Sequence, residues 1–203
     1  MNFILIYYEY SWGFDMSIID TPTLETTLGF LGLVCYVFTL SPTILRIVIP
    51  QTKETGIPKL LLKYRRNIGI LAFLFALGHG SLLVQKRRVD LFDLETSRIY
   101  MQGLTTLIIF TLLAITSNDW SIKKLKKKWK QLHKLTYLAM FLLTWHILDK
   151  MFGHWTYLTP IGLAAIMGII LLYLFRLGIE SQDKQQKKEA KAFLSQLAVK
   201  TVK

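Results

Sequence analysis

From Thr27 onward the chain repeats one pattern: a run of about twenty residues that is apolar on every side, then a short polar connector. Helices of soluble proteins change from apolar to polar every three or four positions, and these runs do not. They fall at residues 27–49, 60–84, 99–117, 129–149 and 158–177 and predict five membrane-spanning helices. The fold class expected is an all-α integral membrane bundle.

The flanks differ from this middle. Residues 1–26 contain tyrosines and Trp12 but no lysine or arginine. The opening MNFILIYY lacks the basic start of a signal peptide and is too short to span, so the segment reads as interfacial. Beyond Arg176 the composition turns to ESQDKQQKKEAKAF, a solvated helix or frayed tail. The expected division is an interfacial segment over 1–26, a membrane domain over 27–177 and a basic tail over 178–203.

Within the runs, Ser41-Pro42 predicts a kink near Leu40, because proline removes a backbone donor and crowds the preceding turn. Pro160 stands in a first turn, where that costs little. LFDLETSRI, ahead of the third run, has the make-up of a short amphipathic helix lying in the interface.

Charge orients the bundle. The net charge is +12, and its lysines and arginines collect in the connectors after the first and third runs and in the tail. The N-terminus and the other two connectors are not basic, so the positive-inside rule puts the N-terminus outside and the tail in the cytoplasm. No nucleic-acid recognition motif accompanies the charge, and a lipid bilayer is the partner it implies. Cys35 is the one cysteine; it excludes an intramolecular disulfide and reads as a small apolar residue.

The candidate chemistry lies in histidines, since neutral imidazole is above all a metal ligand and ionisable groups at membrane depth are costly. His79 lies about 20 Å along the second span from Arg65, and His146 lies about as far along the fourth from His133, so His79 and His146 are expected at one level in the outer half. That is the geometry of bis-imidazole haem ligation between the second and fourth spans. Gly78 and Gly80 are expected to let a flat macrocycle approach, with Leu142 and Trp145 as apolar walls. The competing reading is a core histidine bonded to a backbone carbonyl.

His133 stands roughly 140° around an ideal helix from His146, which leaves a second, inner haem open. His154, beside Gly153 and Trp155, reads as interfacial. Arg65 returns to nearly the face of His79 at the inner level, with Arg66 beside it. These guanidinium groups suit haem propionates or an anionic or quinone headgroup, but composition alone favours the plainer reading, anchors snorkelling to lipid phosphate.

The segments YRRNIGILAFLFALGHGSLL and LLAITSNDWSIKKLKKKWKQLHKLTYLAMFLLTWH resemble the MsrQ (YedZ) family of haem-binding membrane subunits, within the ferric reductase-like transmembrane superfamily. The likeness covers about residues 27–177. It implies a b-type cytochrome of the bacterial inner (plasma) membrane that carries electrons from a cytoplasmic flavin reductase or from quinol to an extracytoplasmic molybdopterin enzyme reducing methionine sulfoxide. It further implies that His79, His133 and His146 match haem-site histidines and that Arg65 and Arg66 match the family's arginine pair.

Two departures stand out. The family usually has a sixth, N-terminal span, reduced here to MNFILIYY. Larger relatives carry a second histidine where this chain has Arg65, and a fused flavin domain not seen here. The chain is therefore expected to act as a haem-bearing subunit of an oxidoreductase system, with no catalytic group of its own. The alternatives are a ferric or cupric reductase component and a membrane scaffold that binds no cofactor.

Overall fold

The computed structural model describes residues 19–86, 94–151 and 155–201. The expected interfacial segment before Ile19, and His154, lie outside the described residues. The rest is helical: α1 Leu24–Val48, α2 Ile57–Lys86, α3 Leu94–Ile115, α4 Asp119–Leu125, α5 Lys127–Leu132, α6 Leu135–Met151 and α7 Leu158–Thr201. A single 3-10 turn, Pro50–Lys53, links α1 to α2. Two-residue strands, β1 Ile19–Asp20 and β2 Trp155–Thr156, pair in parallel and tie the approach to α1 to the approach to α7.

Among the described residues, four helical stretches are long and apolar enough to cross a membrane: Leu24–Val48, Ile57–Lys86, Ser97–Ile115 and Leu158–Lys191. The stretch expected to form one span over 129–149 is divided. Lys126 adopts φ 48°, a left-handed backbone that ends α4, and the chain turns again at His133 and Lys134 before α6 begins. α6 has 17 residues, a rise of about 25 Å against a hydrocarbon core of about 30 Å.

α1 is the spine of the bundle, packed along α2 on one side and α7 on the other, while α3 lies along α6 and α2. Its residues Leu33, Tyr36, Leu40 and Ile44 recur at helical spacing and are buried against Ala72 of α2, Phe110 of α3, Met140 of α6 and Ile166 of α7. Gly162 permits the close approach of α7, because a Cβ there would stand 2.8 Å from Leu33 Cδ2. Large apolar side chains such as Leu74, Ile108, Phe141 and Phe175 point outward, as a lipid-facing surface requires.

One further expectation changes. The stretch from Leu94 belongs to α3 itself, so LFDLETSRI is not a separate interfacial helix over its described part. The tail continues α7 as one helix of 44 residues, because its Lys, Glu, Gln and Ala residues are strong helix formers. Arg176 pins α7 as the polar part begins: it donates to Tyr137 Oη at 2.9 Å and to Glu180 Oε1 at 2.7 Å. α1 runs unbroken through Pro42, where the hydroxyls of Thr39 and Ser41 turn back on the carbonyls of Tyr36 and Val37.

Candidate functional site

The histidines occupy two ends of the bundle. At one end His79, on α2, faces the first turn of α1. Its Nδ1 stands 2.7 Å from the Glu25 carbonyl oxygen. A carbonyl can only accept, so Nδ1 carries a proton. The ring fits because Gly29 has no side chain; a Cβ there would come within 2.9 Å of Nδ1.

His146, near the end of α6, is seated the same way on a different neighbour. A Cβ on Gly103 of α3 would meet its Cε1 at 3.2 Å. One turn on, Asp149 accepts from Gln102 Nε2 at 2.8 Å and pairs with Arg98 Nε at 3.2 Å. α3 relates the two levels: Gly103 touches His146, and Leu107, one turn further, touches the position of Gly80 beside His79. The two backbones therefore stand within about one helical turn, or 6 Å, of a common level.

The rings themselves pack against different helices, His79 on α1 and His146 on α3, and α2 and α6 are not closely packed together. Beside Gly78 and Gly80 stand Leu28 and Leu107, the first closely and the second at ordinary contact. The cradles are Gly29 and Gly103, on helices other than those bearing the histidines. Trp145 is 53% exposed on the outer surface and is not a wall of the site, whereas Leu142 packs against the core.

At the basic end a cavity of about 370 Å³ opens between α2, α3 and the α5–α6 junction. Arg65, Arg66, Lys63, Trp129 and His133 line it, with Tyr36 and Thr39 of α1 at its back. Thr116 gives its proton to the Leu112 carbonyl at 2.6 Å, so it accepts from His133 Nε2–H at 3.2 Å, and the lone pair of His133 sits on Nδ1. The indole of Trp129 stacks on that imidazole, centroids 4.0 Å apart, and is fixed by its own bond to the Thr116 carbonyl at 2.9 Å.

The arginine pair divides its work. Arg65 is in the cavity, with Nη1 3.5 Å from Thr43 Oγ1. Arg66 reaches across to Asp119 at 2.5 Å, just beyond α3, and holds that exposed carboxyl below its ordinary range, by hydrogen bonding first and charge second. Tyr36 donates its buried hydroxyl to the carbonyl of Thr136, tying α1 to the first turn of α6.

These features fit haem at the His79–His146 end. The bond from His79 to the Glu25 carbonyl is the one a core histidine makes, and it is also the one a metal-ligating imidazole makes through its other nitrogen. Iron ligation by His133 through Nε2 would require its bond to Thr116 to open; through Nδ1 it would not. Among the described residues no group of three or more His, Cys, Asp or Glu side chains could hold a bare metal ion.

Sequence reasoning missed Glu25, Gly29 and Gly103 as neighbours of the histidines, and none of the three carried a local signal.

The chain is similar in sequence to known proteins. The family described as ferric reductase like transmembrane component matches residues 28–144. The chain is similar to proteins named protein-methionine-sulfoxide reductase heme-binding subunit MsrQ from Brucella melitensis, Brucella ovis and Brucella abortus. Each is 35% identical over 156 residues, covering 74% of this chain and 66% of the relative. No solved structure matches the chain. The match over residues 28–144 places the chain in the ferric reductase-like transmembrane family, and the relatives it resembles carry the name MsrQ.

Proposed function

We propose that the chain is a b-type cytochrome subunit that carries electrons across the bacterial inner membrane to an extracytoplasmic reductase acting on methionine sulfoxide in proteins. The observation that supports it most is the seating of His79: a glycine-sized space, and an Nδ1–H bond to a helix carbonyl of the kind a metal-ligating imidazole makes through its other nitrogen. His146, at the matching level, is the partner ligand. Haem held there supplies a one-electron carrier whose iron alternates between ferric and ferrous.

The residues around it set the conditions. Gly29 and Gly103 hold the two rings in place. The Glu25–Lys86 and Asp149–Arg98 ion pairs fasten the helix ends. Lipid-facing leucines and phenylalanines keep water away. In this reading the α5–α6 unit completes a fifth span, the N-terminus faces out and the tail faces the cytoplasm.

The basic cavity lies on the electron-entry side. Arg65 and Lys63 would pair with haem propionates there, or with the anionic or quinoid group of a donor, a flavin reductase or quinol. His133 is the candidate ligand of a second, inner haem.

Purified protein from haem-replete cells tests the reading. A Soret band that shifts on reduction, and its loss in His79→Ala or His146→Ala, is the expected result; full absorbance in both variants would refute the ligand pair. The ferric reductase-like family favours a second reading, delivery of electrons to extracytoplasmic ferric or cupric ion. Reoxidation of the dithionite-reduced protein by ferric citrate at the rate seen with the sulfoxide reductase partner would support it.

A further inference from the structure

We infer that the first turn of α1 is the positioning partner of His79, with Glu25 supplying the acceptor, Gly29 the space and Lys86 the clamp. The inference rests on haem ligation by His79.

In a regular helix the Glu25 carbonyl accepts from the N–H of residue 29. A carbonyl oxygen has a second lone pair, and His79 Nδ1–H takes it at 2.7 Å. The residue whose N–H shares that oxygen is the one whose side chain would block the ring. Gly29 therefore has two roles at once, and any larger residue there pushes His79 off the carbonyl.

Lys86 closes the device. It is the last residue of α2, seven residues beyond His79, or about two turns. Its Nζ stands 2.8 Å from Glu25 Oε2, and the Glu25 side chain is only 11% exposed against 56% for Lys86. The pair joins the start of α1 to the end of the antiparallel α2, so it fixes the register that sets the carbonyl opposite the ring. Below, Thr23 caps α1, its carbonyl accepting from Thr27 Oγ1 at 3.0 Å and its Oγ1 from Thr26 N at 3.5 Å. The acceptor is thus held from both sides.

The chemical effect is on the ligand. A hydrogen bond from Nδ1–H makes an imidazole more basic at Nε2, which favours ferric over ferrous iron and lowers the midpoint potential. Losing the bond should raise the potential and change the EPR g values of the low-spin ferric signal while haem remains bound.

The test uses full-length protein purified with haem, comparing Gly29→Ala with Gly80→Ala. Gly80 adjoins His79 in the chain, but its nearest neighbour, Leu107, stands at an ordinary 3.7 Å. The expected result is an upward shift of one midpoint potential, with altered g values, in Gly29→Ala alone. Unchanged potential and g values in Gly29→Ala, or an equal shift in Gly80→Ala, would overturn the inference. If Gly29→Ala does not accumulate, Lys86→Met decides: a smaller shift in the same direction supports the clamp, and none overturns it. His79→Ala separates the two levels of argument, because retention of all haem there refutes the ligand reading itself.

Discussion

The two ends of the bundle treat their histidines differently. At the Glu25 end each imidazole is sunk against a glycine of a neighbouring helix, and a carboxylate with its cation lies close by. At the basic end His133 borders a cavity of about 370 Å³ among arginine and lysine, stacked on one indole and bonded to one hydroxyl. The first arrangement fixes the direction of both rings and a proton on His79 Nδ1. The second leaves volume and positive charge, as a bulky anionic or quinoid guest needs. One helix-length of sequence thus separates two closely seated imidazoles from an open basic cavity.

The largest effect expected from breaking this contrast is at the tight end. His79→Ala or His146→Ala should abolish the absorbance of haem held there, measured as the reduced-minus-oxidised spectrum per mole of protein. His133→Ala should leave that signal in place. Equal loss in all three variants would mean that the ends are not distinct.

Next in size is the cavity. Arg65→Met removes the guanidinium held by Thr43, and a charge-assisted hydrogen bond is worth about 1.5–3 kcal/mol, or roughly ten- to a hundredfold in affinity. The expected outcome is weaker retention of an inner haem, or a raised KM for the electron donor, with the His79–His146 spectrum unchanged. Stopped-flow reduction of the purified protein measures both.

How far the contrast could be read from sequence follows from its causes. The apolar runs are legible because hydropathy and length are local, and α1, α2, α3 and α7 lie close to their expected places. The break at Lys126 was not, because a left-handed backbone is usually marked by glycine and here a lysine adopts it. Nor was the restart at Leu135, so the 140° phase between His133 and His146, counted along one ideal helix, does not apply across the turn. The levels of His79 and His146 could be counted from the helix rise. Their cradles could not, because Gly29 and Gly103 belong to other helices and nothing in the chain links them to the histidines. Gly78 and Gly80, adjacent in sequence, pack against leucines instead.

A third break concerns the joint between the ends. Tyr36 sits at the back of the cavity and donates to the Thr136 carbonyl in the buried core. Tyr36→Phe keeps the ring and removes the second of the two bonds that the Thr136 carbonyl accepts, the first coming from the helix itself, at a cost of about 0.5–1.5 kcal/mol. The expected outcome is a lower midpoint of thermal unfolding in detergent and a looser α5–α6 junction, seen as faster hydrogen exchange at residues 133–137. The exchange of the Glu25 end should not change.

The smallest effect belongs to Arg66 and Asp119, which brace the mouth of the cavity from the aqueous side. The arginine holds the Asp119 carboxyl below the ordinary aspartate value of about 3.9, so the folded protein binds that proton less readily than the unfolded chain. The pair's contribution is therefore full above the unfolded value and is lost as pH falls through the lowered folded one. Both partners are exposed, and solvent screening keeps the contribution small. Asp119→Asn should accordingly match the unaltered protein in stability near the acid end of that window and fall slightly behind it at neutral pH. Thermal unfolding followed at both pH values measures the difference, and a gap that widened on acidification would show that Asp119 does not act through its charge on Arg66.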